Sequence, residues 1–363
     1  MSRAMSEMHS LGSNPSIDDC LRKAVKLGAS DVHFSCGKRP KMRLDGDLKD
    51  LYEDFIIDIR WMESQMGITM NALQSNEYQR EQELDFSHAV KGFGRFRVNF
   101  YVQSGSPAAA FRTIPEKVRT VDELGLPMSL IDITDKPNGL ILVTGTTGSG
   151  KSTTVSAMLE HRNRTYEEHI LTIEDPTEFV YQSKKALVNQ REIGNDTKSF
   201  KEALKRLLRQ DPDVILIGEL RDPETISIAL TAAETGHLVF GTMHTQSASK
   251  SVNRIIDSFP SAQQTQIRSQ LSDTLQAIIS QSLVKKIGGG RIAATEILVR
   301  NSAIGNQIRE GATAQMYSTI QSGKSYGMHT LDQDLQRLVK DGIVHKEDAM
   351  AFLYDKNALD KFR

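Results

Sequence analysis

Two rhythms of apolar and polar residues run along this chain. In the first third, apolar residues fall at alternate positions in ELDFSHAV (83–90) and FGRFRVNFYV (93–102). Such alternation marks strands with one buried face, and the Lys91-Gly92 pair between them predicts a long hairpin. PAAAFRTI (107–114) continues as a third strand. DVHFS (31–35) and PKMRLDGDLKDL (40–51) read as shorter strands, the second turning at Asp45-Gly46. SIDDCLRKAVKLG (16–28) instead has helical spacing, with Leu21, Val25 and Leu27 on the apolar side and Gly28 as the stop. The expectation is an α/β domain built on an antiparallel sheet.

The rhythm then changes. Continuous apolar runs, LILVTG (140–145), HILTIED (169–175), DVILIGE (213–219) and HLVFGTMHT (237–245), alternate with helical stretches. Runs of that kind predict a mostly parallel sheet buried on both faces. The helix after the third run is well marked, with Asp222 as N-cap, Pro223 at the first helical position and Gly236 past the end. From residue 261 onward the text reads as mainly helical, with one more strand in RIAATEILV (291–299). The expected organisation is a polar tail (1–15), an N-terminal domain (16–114), a linker (115–126) punctuated by Pro115 and Pro127, and a second domain (127–363) ending in helices.

Composition narrows the partners. The 363 residues carry 45 Lys and Arg against 46 Asp and Glu, a net charge of −1. A chain that grips phosphate backbones shows a basic excess, so nucleic acid is not an expected partner. Cys20 and Cys36 are the only cysteines, too few for a disulfide framework or a four-cysteine zinc site. The N-terminal text lacks the apolar stretch of a signal peptide, and no apolar run is long enough to span a bilayer. A cytoplasmic location is expected.

The most specific chemistry is Gly145-Thr146-Thr147-Gly148-Ser149-Gly150-Lys151-Ser152, followed by Thr153. It matches the phosphate-loop pattern G-x-x-x-x-G-K-[ST] and lies between a strand-like and a helix-like segment, as that pattern requires. Glycines let backbone N–H groups turn toward phosphate oxygens, and the helix N-terminus adds a favourable dipole. Lys151 supplies charge at the β- and γ-phosphates and the Ser152 hydroxyl ligates Mg²⁺, so ATP and Mg²⁺ are the expected cofactors. Glu219 ends an apolar parallel strand and is delivered to the same crevice, where it can hold the Mg²⁺ shell through water or orient the attacking water. Glu174, Asp175 and Glu178 cluster past another such strand; spacing does not choose a general base among them. His237 and His244 bracket one strand about 20 Å apart, too far to share a metal. His237 reads equally well as a satisfied histidine at the strand start. His244 lies at the crevice end and can reach a γ-phosphate or a neighbouring subunit.

Together GTTGSGKST, ILTIEDPTEF and RQDPDVILIGELRDPETISIALTAAETGHLVFGTMHT resemble the Walker A, Asp box, Walker B and His box of the type II/type IV secretion ATPases. Within that family the chain resembles the ATPases that retract type IV pili, with SDVHFSCGKRPKMRLDGDL and MHTLDQDL adding to the likeness. The resemblance implies an N-terminal PAS-like domain, a RecA-like ATPase domain and assembly as a homohexamer. It implies docking at the inner membrane on a pilus platform protein, and twitching motility as the output. Carried over residue by residue, it implies Glu178 as catalytic base, Glu219 as the Walker B carboxylate and His237 and His244 as the His box, one binding nucleotide and the other catalytic. It also implies phosphate-contacting arginines among Arg95, Arg97 and Arg112. Extension ATPases carry a four-cysteine zinc insertion that this chain lacks. The AIRNLIRE-type motif of retraction ATPases is here Ala303-Ile304-Gly305-Asn306-Gln307-Ile308-Arg309-Glu310, with Gly305 and Gln307 as departures. An accessory retraction ATPase, or a conjugation or effector-secretion ATPase, shares the four boxes.

Overall fold

The computed structural model describes residues 14–44, 47–114 and 118–355. The expected Asp45-Gly46 turn, nearly all of the polar tail and the first three linker residues lie outside the described residues. The chain divides into two compact units between residues 116 and 117.

The first unit is a six-stranded sheet. Its strands are β1 (Asp31–Ser35), β2 (Lys41–Leu44), β3 (Asp47–Asp50), β4 (Glu83–Val90), β5 (Gly94–Gln103) and β6 (Ser106–Ile114). They lie in the order β3-β2-β1-β6-β5-β4, every pair antiparallel. The alternation read from the sequence sends Phe96, Val98, Phe100 and Phe111 into the core. The helix Ile17–Lys26 starts on a Ser16–Asp19 capping box and buries Ile17, Cys20, Leu21 and Ala24. Its apolar stripe therefore runs through two small side chains. Leu27, expected on that stripe, is the C-cap residue and is 46% exposed. Two helices, Ile59–Thr69 and Ala72–Glu81, had no sequence expectation; between them they bury only Met62, Met66 and Gln74, so the apolar period is faint.

The second unit carries β7 (Gly139–Thr144), β8 (His169–Glu174), β9 (Leu187–Glu192), β10 (Val214–Ile217), β11 (Leu238–Met243), β12 (Leu275–Lys285) and β13 (Arg291–Val299). The sheet order is β13-β12-β7-β11-β10-β8-β9. All neighbours are parallel except β12 and β13. Every residue of β7, β10 and β11 is buried, as expected for a sheet covered on both faces. The helix Pro223–Glu234 has Asp222 as N-cap, accepting the Thr225 N–H, and Pro223 in its first turn. The fold class is thus α/β as the sequence predicts, an antiparallel sheet followed by a mostly parallel one.

Two expectations change. The described part of the expected linker packs into the second unit, where Val121 and Leu126 join Leu130, Ile141 and Met158 in one core. The region after residue 261 is less helical than read. The helix Ser261–Thr274 passes directly into the 11-residue β12, whose first residue, Leu275, is the helix C-cap. The MHTLDQDL segment backs β13: His329 bridges Ile297, and the Asp334 carboxylate accepts the Thr295 N–H at 2.8 Å. The AIGNQIRE segment lies within the helix Ser302–Glu310, which accommodates both departures; Gln307 donates to the Thr319 hydroxyl at 2.9 Å.

Phe111 lies edge-on to Phe34, Phe96 and Phe100 at centroid distances of 5.5, 6.4 and 5.9 Å. Such a fully buried ring is costly to remove. Phe111→Ala should destabilise the first unit by about 3–5 kcal/mol in urea unfolding; a loss below about 1 kcal/mol would contradict this packing.

Candidate active site

Parallel register decides what meets what. Thr144 lies opposite Met243, Gly241 opposite Ile217, and Ile217 opposite Ile173. The residues just past four adjacent strands, Gly145, His244, Gly218-Glu219 and Asp175, therefore emerge along one edge of the sheet. Cross-bonds beyond the ladders hold that edge: the Gly218 N–H donates to the Ile173 carbonyl at 2.8 Å and the Leu220 N–H to the Thr242 carbonyl at 3.0 Å.

The glycine loop springs from β7 and ends on the helix Lys151–Thr165. Gly150, the N-cap, has φ +88°, a left-handed conformation that suits glycine. A Cβ on Gly145 would sit 2.4 Å from both the Gln281 carbonyl and the Ser149 hydroxyl, so only glycine fits. Lys151 is 8% exposed and folds over the loop, its Nζ donating to the Gly145 carbonyl at 3.0 Å and the Thr146 carbonyl at 3.1 Å. Burial lowers the pKa of this ammonium, while the charges of Glu219 and Glu178 raise it. The loop tip and Glu219 are linked by His244: Nδ1 lies 3.4 Å from the Thr147 hydroxyl and Nε2 lies 3.5 Å from Glu219 Oε1. Arg221 pairs with the other Glu219 oxygen at 2.7 Å.

Glu178 is exposed, on a loop pinned by the side chains of β9. Gln190 donates to the Phe179 carbonyl at 2.7 Å and accepts the Tyr181 N–H at 2.9 Å. Glu192 accepts the Thr177 N–H at 3.0 Å. Buried Glu174 holds the same loop, accepting the Thr172 hydroxyl at 2.8 Å and the Glu178 N–H at 3.4 Å. Three carboxylates that spacing left equivalent are thereby distinguished: Glu174 is buried and tied to neighbours, while Asp175 and Glu178 are exposed.

The structure does not gather every expected site residue here. His237 precedes β11 at the end opposite His244, and its Nδ1 lies 3.0 Å from the Ala232 carbonyl. Within this chain a six-residue strand separates it from the glycine loop, and its ring is engaged at the Ala232 carbonyl. Arg95, Arg97 and Arg112 belong to the first unit, on β5 and β6, with Arg97 directly opposite Arg112. Arg112 is 72% exposed and its Nε donates to Asp31 at 2.9 Å. Sequence reasoning missed Arg221, Gln190, Glu192 and Gln281. Only Arg221, two positions after Glu219, carried a signal; the others sit on β9 and β12, which went unread.

The residues fit a magnesium nucleotide. Glycines leave room at the loop, a helix N-terminus and a buried ammonium face it, and carboxylates stand at the adjoining strand ends. A mostly parallel sheet with this loop and these strand-end carboxylates defines a P-loop ATPase. More narrowly, the chain belongs to the family described as Type II/IV secretion system protein, which matches residues 11–347. It is 52% identical to the type IV pilus retraction ATPase PilT of Pseudomonas aeruginosa, over 92% of this chain and 96% of that one. It is 50% identical to a twitching motility protein of Neisseria gonorrhoeae, over 85% of this chain and 83% of that one. Its fold superposes on a crystal structure of the pilus retraction motor PilT with bound ADP at a TM-score of 0.89. That match has 46% identity and covers 96% of this chain and all of that one.

Burial pushes the Glu174 carboxyl up from an ordinary 4.5 to about 7. A carboxyl raised on folding favours the native state while protonated; that contribution is complete below pH 4.5 and is lost as pH rises through about 7. Glu174→Gln removes the titration and keeps the shape. Relative to wild type it should gain up to about 3 kcal/mol of unfolding stability between pH 5 and 8. Parallel pH profiles for the two proteins in urea would refute the assignment.

Proposed function

We propose that this chain is an ATP-driven motor subunit that works as a ring of six copies in the cytoplasm and powers retraction of a type IV pilus. The observation that carries the chemistry is the buried Lys151 ammonium folded over the glycine loop at the helix start, donating to the Gly145 and Thr146 carbonyls. A lysine so held is ready to exchange the Gly145 and Thr146 carbonyls for phosphate oxygens. Backbone N–H groups of the loop from Gly148 to Ser152 cradle the β-phosphate, with Thr153 in the same first helical turn. Glu178, exposed on a loop fixed at Thr177, Phe179 and Tyr181, accepts a proton from the attacking water. Ser152, and Glu219 through water, would hold Mg²⁺, which neutralises charge on the transferring phosphoryl group. His244, between Thr147 and Glu219, reports the state of the γ-phosphate to both. By resemblance to the family, Arg97 and Arg112, with Arg95 alongside on β5, are the arginines proposed to contact a γ-phosphate.

The retraction assignment is supported by the names and high identity of the Pseudomonas and Neisseria relatives. The intact helix around Gly305 and Gln307 is compatible with it. Among the described residues no helix is long and apolar enough to cross a membrane, so the ring would pull through a platform protein at the inner membrane.

Phosphate release and nucleotide affinity test the chemistry together. Glu178→Gln should lower kcat by about 10²–10⁴ with ATP affinity retained, and Lys151→Ala should abolish binding. Equal turnover in wild type and Glu178→Gln would remove Glu178 from the mechanism. Cells carrying Lys151→Ala should accumulate surface pili and lose twitching; normal twitching would defeat the retraction assignment.

A further inference from the structure

One residue of β12 touches the glycine loop at both ends. Gln281 follows Ser280, which pairs with Thr144 in the parallel ladder and shares a hydroxyl bond with it at 2.8 Å. This register sets Gln281 level with Gly145. Its main-chain carbonyl packs so closely on Gly145 that a Cβ there would lie 2.4 Å away. Its side-chain Nε2 reaches four residues further along the loop and donates to the Ser149 carbonyl at 2.7 Å. Gln281 and Ser149 are each only 3% exposed. A buried carboxamide bound to a loop carbonyl is costly to misplace, because either group left unpaired loses its solvation without compensation.

The bond also sets an orientation. A trans peptide is planar, so its C=O and the next N–H point in opposite directions. Holding the Ser149 carbonyl toward β12 turns the Gly150 N–H away from β12, the direction in which a phosphate cradle needs its donor. Gly150 at φ +88° then leads into the helix Lys151–Thr165. Two polar atoms in this cluster, the Ser149 hydroxyl and Gln281 Oε1, are buried with no hydrogen-bond partner among the described residues. Buried groups left without partners call for an explanation beyond packing. On its far side, Gln281 faces Thr295 of β13, whose N–H is held by Asp334. The MHTLDQDL segment thereby backs the strand that carries Gln281.

We infer that Gln281 is a positioning residue for the phosphate loop, holding the Ser149–Gly150 peptide in its phosphate-accepting orientation. The inference rests on the nucleotide site proposed above and adds to it a residue outside the four boxes. It touches no nucleotide; it acts through Ser149.

The test measures MgADP affinity by calorimetry and MgATP kinetics for wild type, Gln281→Leu and Gln281→Glu, with the thermal midpoint of each. Gln281→Leu removes the donor at similar volume, and Gln281→Glu replaces the donor by an acceptor at the same length. Both should weaken MgADP binding about fivefold or more, the loss expected for one such bond. KM for MgATP should rise by a similar factor while kcat falls less. Gln281→Asn, which keeps the amide and shortens the reach, should behave like Gln281→Leu and serves if that variant does not fold. Affinity within twofold of wild type in a folded variant would overturn the inference, as would a lowered thermal midpoint with unchanged affinity, which assigns Gln281 to packing alone. If wild type itself binds no MgADP, the nucleotide site fails and Gln281 with it; if wild type binds and the variants match it, only the Gln281 inference fails.

Discussion

The site depends on the parallel register of β7, β11, β10 and β8. Parallel strands expose their carboxyl ends on one side only, so every group that follows a strand is delivered to the same edge. Four consecutive neighbours place the glycine loop, His244, Glu219 and the Asp175–Glu178 loop there. The strands themselves are mostly apolar and almost wholly buried, which fixes the backbone positions from which these polar residues project. A sheet of mixed direction would scatter the same residues over two edges.

Around that edge the carboxylates have been sorted by environment. Glu174 is buried and held by Thr172 and Gln190, and its carboxyl rests near neutrality. Glu219 is engaged by Arg221 and His244. Glu178 stands exposed on a loop fastened from behind. Position on the loop thus separates one structural carboxylate from two that can meet solvent or nucleotide, a distinction that burial makes and sequence spacing does not.

Much of this was legible beforehand. Continuous apolar runs ending in Gly145, Glu174, Glu219 and His244 announced buried parallel strands, and the glycine pattern fixed the phosphate loop because few other chemistries need three glycines and a lysine at that spacing. What stayed hidden has specific causes. β12 reads LQAIISQSLVK and follows a helix without a break, so no turn residue announced a strand; with it went Gln281. β9, LVNQRE, is mostly polar, and two of its polar residues, Gln190 and Glu192, serve the neighbouring loop rather than solvent. The helices Ile59–Thr69 and Ala72–Glu81 bury too little for their period to show. The opposite placement of His237 and His244 around β11, by contrast, was readable from their spacing along one strand.

The central claim is that nucleotide binds at one sheet edge, against elements that are far apart in sequence. Amide hydrogen exchange with and without MgATP tests it most directly. The account predicts that residues 145–153 gain protection together with 176–179, 218–220 and the segment around Gln281, the four responding over one ATP concentration range. Protection absent from 145–153, or confined to sites away from these strand ends, would contradict it.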